Sequence, residues 1–553
     1  MTRFRLISAL LLTPLLACAQ PSALEKRVHE AMRRVSAADI IRHATALAHD
    51  SLYGRGTGSK GERLAAAYIE QELRNLAIPP AGENGGYLQA IPLHGSVPLS
   101  DSRLQLAAGG VMHDFALRKD YLLYKTGAQT FIPQPLRMVF VGYGIVAPEF
   151  DYNDYQNIDV AGAIVVYLSG EPLSDDEGFF DGRRPSLHAI PEMKQRVALS
   201  RGARGSVMLP LPRESVGYTW SDWVQMFSFE DVTLPVTVPS HLSVLLNPSR
   251  APLLFEGAAW SWRDVLELDA SGRMRSFTLD TRMSFAGSFK ERDFLAYNVA
   301  ASIEGSDPLL RDSWVLCTAH YDHLGVGPVL AGDSIYNGMV DNALGVAATL
   351  ELARLLSRPE FRPRRSILFL FVSGEEKGLL GSQYYCSHPL VPLYKTISVL
   401  NIDGIGIIDT FGDIVGIGSE FSTLQQLLRR VAVELGLTVS EIPPAFDHLD
   451  AFASSDQIAF AQAGIPAMLV MEGTEYRNLG PEEGFRRFIE WGKERYHTPF
   501  DDAEQPVDTA AVGHHTVVLL ATLAALADTW EAPQWIRGTK YINARLQSIA
   551  EER

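Results

Sequence analysis

The sequence predicts an α/β protein in which a mixed, mostly parallel sheet is sandwiched between helices. Three observations carry that prediction. Ser366-Ile367-Leu368-Phe369-Leu370-Phe371-Val372 is a continuous apolar run of strand length. It is apolar on both faces, as a central strand covered by helices on each side must be. From Phe294 onward, strand-like and helix-like stretches alternate in the rhythm of a doubly wound sheet. At 553 residues the chain is also too long for one ordinary core, so at least two domains are expected.

Taken in order, the chain opens with Arg3 and Arg5 ahead of a mainly apolar stretch from Leu6 to Ala17. That is the pattern of an export signal over residues 1–18, too short to span a bilayer, which needs roughly 20 apolar residues. Ala17-Cys18-Ala19 fits an ordinary cleavage site, whereas Leu15-Leu16-Ala17-Cys18 resembles a bacterial lipobox; the choice of Cys favours the second. The expected location is periplasmic or membrane-anchored as a lipoprotein, with secretion as the alternative. The only expected membrane contact is a lipid anchor at Cys18. Ser22–Arg34, Ser36–Ala48 and Lys60–Leu76 carry helical patterns. Between the last two, Gly54-Arg55-Gly56-Thr57-Gly58-Ser59-Lys60-Gly61 looks superficially like a phosphate loop. No strand precedes it and no Gly-Lys-Ser/Thr closes it, so a substrate-side loop or a linker is expected there.

From about Leu93 to Phe285 the texture changes to short strands, prolines and turns. Strands are expected at Arg137–Tyr143, Gly162–Leu168, Gly205–Pro210 and Leu234–Val238, with a short helix at Met193–Arg201. Asp175-Asp176-Glu177 reads as a solvated acidic loop. Beyond Phe294, strands are expected at Leu295–Ile303, Ser313–Ala319, Ser366–Val372, Ile397–Ile402, Ile414–Gly416 and Ala467–Met471. Helices are expected at Gly345–Leu356, Leu379–Cys386, Thr423–Leu435, Gln457–Ala463 and Thr509–Leu526. A formal net charge of −16 argues against a nucleic-acid partner. Three cysteines exclude a disulfide framework.

Potential ligands fall where these strands end. One strand runs into His320-Tyr321-Asp322, where strand period puts His320 and Asp322 on one face, so that the carboxylate can orient the imidazole. Asp341 lies in a loop feeding a helix. Glu375-Glu376 follows the central strand, and Asp403-Gly404 follows the next. His497-Thr498-Pro499 precedes the last long helix, with Asp501 just beyond. Singly, each has a plain explanation as an N-cap, a turn residue or a loop. Together they bring imidazole and carboxylate to the carboxyl edge of one sheet, where open α/β sheets bind ligands. Two His and several carboxylates without Cys form a nitrogen–oxygen set suited to zinc, with cobalt or manganese possible. One carboxylate can bridge two ions. Of the adjacent glutamates, one would bind metal and the other take a proton from water.

These motifs resemble peptidase family M28, in the exported branch that carries an inserted protease-associated domain. The pieces are Ala319-His320-Tyr321-Asp322-His323-Leu324-Gly325, Met339-Val340-Asp341-Asn342-Ala343-Leu344-Gly345, Ser373-Gly374-Glu375-Glu376-Lys377-Gly378-Leu379-Leu380-Gly381-Ser382, Leu400-Asn401-Ile402-Asp403 and Tyr496-His497-Thr498-Pro499. Val141-Gly142-Tyr143-Gly144-Ile145 and Arg201-Gly202-Ala203-Arg204-Gly205 resemble the inserted domain. The resemblance implies a zinc-exopeptidase fold split over residues 22–92 and 286–553, with a mainly-β insert over 93–285. It implies two zinc ions, with Asp341 bridging, His320 and Asp403 completing one site, and Glu376 and His497 the other. It implies Glu375 as general base, Asp322 supporting His320, Asp501 orienting His497, and Tyr496 polarising the scissile carbonyl. Gln457 stands where many members have His. The function implied is an aminopeptidase acting on peptides with a free N-terminus. A carboxypeptidase of the same fold is the alternative; a glutaminyl cyclase or a non-catalytic peptide-binding relative fits the filled ligand set less well.

Overall fold

The computed structural model describes residues 24–128, 130–176, 178–182, 185–213, 219–235, 241–446 and 450–551. The export signal with Cys18, Glu177 of the acidic loop and the end of the Leu234–Val238 strand lie outside them.

The larger sheet has nine strands: β1 (Leu88–Pro98), β2 (Asp231–Thr233), β3 (Phe289–Ile303), β4 (Trp314–His320), β5 (Ser366–Val372), β6 (Thr396–Asn401), β7 (Asp413–Ile417), β8 (Thr438–Ser440) and β9 (Ala467–Glu472). Their order is β2-β1-β3-β5-β4-β6-β9-β7-β8. The four central strands β5, β4, β6 and β9 are parallel neighbours, and antiparallel pairings flank them. Parallel pairing brings the carboxyl ends of the central strands to one edge, which is the edge that matters below.

Both faces of the centre are apolar, and alternation assigns them. Val315, Cys317 and Ala319 of β4 with Ile367, Phe369 and Phe371 of β5 enter one core; Leu316, Leu368, Leu370 and Val372 enter the other. The first face is covered by α1 (Ala37–Leu47), α2 (Lys60–Asn75), α3 (Leu344–Leu356), α4 (Leu424–Glu434) and α5 (Thr509–Asp528). The second packs on helices Leu380–Ser387 and Gln457–Gln462 through Tyr385 and Phe460. Helix starts follow capping chemistry: Ser36 accepts the Asp39 amide, Ser59 that of Glu62, and Asp508 those of Ala510 and Ala511. Helix α5 is long and apolar enough to cross a membrane, but 78 % of its most apolar window is buried inside the protein. Here it is the helix that closes the core.

A second, eight-stranded sheet is built from residues 103–286, with apolar clusters on both of its faces. The expected border after residue 92 falls inside β1, because β1 pairs with β3 from Leu88↔Val299 to Pro98↔Phe289. The chain therefore leaves the large sheet after Pro98. Of the expected strand Leu234–Val238 only Leu234 and Pro235 are described, and neither is in a strand; strands run at Asp231–Thr233 and Leu242–Leu246, and the first returns to the large sheet against His94–Ser96. Phe369 lies at the centre of the main core and is fully buried. Phe369→Ala is expected to lower stability by about 3–5 kcal/mol. A denaturation midpoint close to that of the parent would contradict this placement.

Candidate metal centre

The carboxyl ends of β4, β5 and β6 carry His320, Glu375-Glu376 and Asp403, and the turn into α3 carries Asp341. Each is held by its backbone. Asn342 joins two of the loops, donating through Nδ2 to the Ile402 carbonyl at 2.8 Å and accepting the Gly404 amide at 3.0 Å. Asp501 accepts the amides of Val340 (2.9 Å) and Asp341 (3.1 Å). That replaces the expected role of Asp501: its carboxylate fixes the Asp341 loop rather than the His497 ring.

Asp341 stands at the middle. Its Oδ1 lies 3.2 Å from His320 Nε2, which is also 3.1 Å from Asp403 Oδ1. Its Oδ2 lies 3.1 Å from His497 Nε2, which is 3.3 Å from Glu376 Oε2. The two oxygens thus face two separate clusters. The expected ligands His320, Asp341, Glu376, Asp403 and His497 all converge here. His323, which sequence reasoning passed over, joins them: its Nδ1 is 2.6 Å from Glu376 Oε1 and 3.9 Å from Asp341 Oδ2. The potential ligand atoms of His320, Asp341 and Asp403, and of His323, Asp341 and Glu376, each lie within 4.8 Å of one another. The signal for His323 was its place three residues after His320, in a turn directly beyond a buried strand.

Asp322 is fully buried and holds several groups at once. Its backbone carbonyl is 3.2 Å from His320 Nδ1, whereas its carboxylate is 3.9 Å away. The expected carboxylate–imidazole support therefore runs through the carbonyl. The carboxylate instead accepts the Glu375 amide at 3.2 Å and the Thr57 hydroxyl at 2.8 Å. Gln457 spends its amide on Asn401 (2.9 Å) and the Phe452 carbonyl (2.9 Å). Tyr496 is 47 % exposed and stacks on His497, ring centroids 3.9 Å apart.

Electrostatics in this cluster are severe. Burial raises the Glu375 pKa well above the usual carboxylate value; His320 opposes that, while Asp403 and Glu376 add to it. Burial also disfavours a charged imidazole at His320, but Asp403, Glu375 and hydrogen bonds to Asp341 and Asp403 outweigh it, raising the pKa well above 6.5. His497 behaves alike, with Glu376 and Asp341 outweighing burial. Asp341 goes the other way: burial is overcome by hydrogen bonds from His320 and His497, and its pKa falls well below 3.8. Although Tyr496 as a whole is 47 % exposed, desolvation at its hydroxyl and the charges of Asp341, Glu376, Glu375 and Asp403 raise the phenol pKa, so it remains a neutral O–H donor.

The donor set fits divalent metal. It contains imidazole nitrogens and carboxylate oxygens only, and Nε2 of His323 is buried without a hydrogen-bond partner. Among the described residues, the ion pairs of Asp341, Glu376 and Asp403 are all to imidazole. Their raised pKa values favour protonated His320 and His497, and each must lose a proton to become a ligand. Zinc titration into chelator-stripped protein is therefore expected to release protons near neutral pH and to weaken as pH falls. Calorimetry in buffers of different ionisation heat measures this; heats independent of buffer would contradict it.

Residues 298–523 match the sequence model of Peptidase family M28. A probable zinc metalloprotease of Pyrenophora teres f. teres is 39 % identical over 175 residues, 29 % of this chain and 35 % of that protein. A vacuolar membrane protease of Aspergillus clavatus is 29 % identical over 218 residues, 39 % of this chain and 19 % of that protein. Leupeptin-inactivating enzyme 1 of Streptomyces exfoliatus is 29 % identical over 252 residues, 44 % of this chain and 50 % of that protein. The chain thus spans between 19 % and 50 % of the length of these relatives. The solved aminopeptidase from Aneurinibacillus sp. strain AM-1 shares the fold, with a TM-score of 0.55, 18 % identity, and coverage of 91 % of this chain and 97 % of that one.

Proposed function

We propose that this chain, whose residues 298–523 match the model of Peptidase family M28, is an exported di-zinc aminopeptidase that removes N-terminal residues from peptides. The observation that carries this reading is the Asp341 carboxylate, with one oxygen toward His320 and the other toward His497. In it Asp341, His320 and Asp403 would hold one ion, and Asp341, Glu376 and His497 would hold the other. When bound, such a pair supplies Lewis acidity and lowers the pKa of water at the site. Glu375, suspended from Asp322 by its amide and adjoining the ligands, accepts the proton of the attacking water and returns it to the leaving amine. Tyr496 donates its phenol O–H to the scissile carbonyl oxygen as negative charge develops there. The acidic edge favours a substrate's free α-ammonium group. Export through residues 1–18, with lipidation at Cys18, belongs to the same proposal.

One observation favours a second reading, a carboxypeptidase. A cavity of about 400 Å³ beside the 54–61 loop is lined by Lys60, Arg292 and Lys377 together with Glu230. Arg292 is paired with Glu230, which leaves the two lysines as cations for a peptide's terminal carboxylate.

A panel of aminoacyl p-nitroanilides and N-blocked peptides, each with and without chelator, separates the two. Chelator-sensitive release from the unblocked substrates is expected; cleavage restricted to the blocked peptides would favour the second reading. Glu375→Gln is expected to retain metal and lose about 10²–10⁴ in turnover, the contribution of general acid–base catalysis. Near-parental turnover would remove Glu375 from its role.

A further inference from the structure

The glycine-rich stretch at 54–61 lies far upstream of the family match, before the second sheet begins, yet it packs directly behind the metal-ligand loops. We propose that this segment is an outer layer of the metal centre, in which Arg55 and Thr57 act as positioning residues for its ligands. The inference rests on the reading of the site as a metal centre.

Arg55 is fully buried, and its guanidinium makes all its hydrogen bonds to backbone carbonyls. Nε donates to Tyr321 (2.7 Å), Nη1 to Leu47 (2.8 Å) and Asn337 (2.5 Å), and Nη2 to Gly338 (2.8 Å). One fork thus ties the end of α1 to the turn bearing His320 and Asp322 and to the turn that precedes Asp341. A planar fork with fixed donor directions suits that task, and a flexible ammonium does not. Among the described residues, no carboxylate hydrogen-bonds this buried cation. The opposite charges it feels are Asp341, Asp501, Asp322 and Glu376, the acids of the site itself. The loop can come this close only because of its glycines. A Cβ on Gly54, at φ +63°, would lie 2.4 Å from the Tyr336 carbonyl oxygen.

Thr57 completes the link. Its hydroxyl donates to Asp322 Oδ2, and Asp322 in turn accepts the amide of the proposed base Glu375 and fixes His320 through its carbonyl. Glu62 extends the layer. It is fully buried and accepts the Ser373 hydroxyl (2.8 Å), the Tyr321 hydroxyl (3.1 Å) and the Gly58 amide (2.9 Å). Residues 55–62 therefore brace the ends of both β4 and β5. Partners that orient metal ligands in this way typically carry a 10- to 100-fold effect on metal affinity.

The test uses the full chain. Thr57→Val keeps shape and removes the donor; Arg55→Lys keeps charge and removes the fork. For each, zinc affinity is measured by competition with a chelator, the visible spectrum is recorded after cobalt substitution, and folding is checked by circular dichroism. Both variants are expected to fold, to bind metal about 10- to 100-fold more weakly than the parent, and to show altered cobalt bands. Should Arg55→Lys fail to fold, Thr57→Val decides alone. Parental affinity with an unchanged cobalt spectrum in folded Thr57→Val would overturn the positioning role. A parent chain that binds neither metal would instead overturn the reading of the site.

Discussion

Everything at the functional edge follows from one electrostatic constraint: Asp322, Asp341, Glu375, Glu376 and Asp403 converge in a largely buried space. Two like charges about 4 Å apart repel by about 4 kcal/mol at an effective dielectric of 20. Several such pairs in one place are untenable without compensation. In the protein alone the compensation is a shift toward protonation: the surroundings raise the pKa values of His320, His497 and Glu375. Divalent ions offer the alternative, and with them in place Glu375 would be free to take the proposed role of base. The adjacent glutamates after β5 are thus two groups with different duties imposed by their surroundings.

The fold meets that constraint by rigid placement. Four parallel strands, apolar on both faces, fix where their carboxyl ends lie, and the ends of β4, β5 and β6 deliver His320, Glu375-Glu376 and Asp403. Loops of ordinary flexibility could not hold mutually repelling acids at these distances. Here they are sewn together by Asn342, Asp501, Asp322 and Thr57, whose hydrogen bonds go mainly to backbone amides and carbonyls. The second sheet returns a short strand, Asp231–Thr233, to the edge of the first. It thereby brings Phe229 and Glu230 to the cavity beside the 54–61 loop.

Much of this was legible in the sequence, and the reason is local. Strand β5 announces itself because seven consecutive buried residues leave no other reading, and His320, Glu375-Glu376 and Asp403 stand immediately beyond runs of the same kind. What escaped the sequence depends on contacts distant along the chain. Asp501 reaches the Asp341 amide across 160 residues, and Thr57 reaches Asp322 across 265. His323 was obscured by its neighbour His320, which already satisfied the motif. The border at 92/93 failed because a change of composition does not mark where a long antiparallel strand stops pairing.

The central claim is that Asp341 sits between two metal ions. Anomalous diffraction at the zinc edge, from crystals of the full chain loaded with zinc, tests it most directly. The account predicts two peaks about 3.5–4 Å apart, one on each side of the Asp341 carboxylate. A single peak, or two peaks that do not share Asp341, would contradict it.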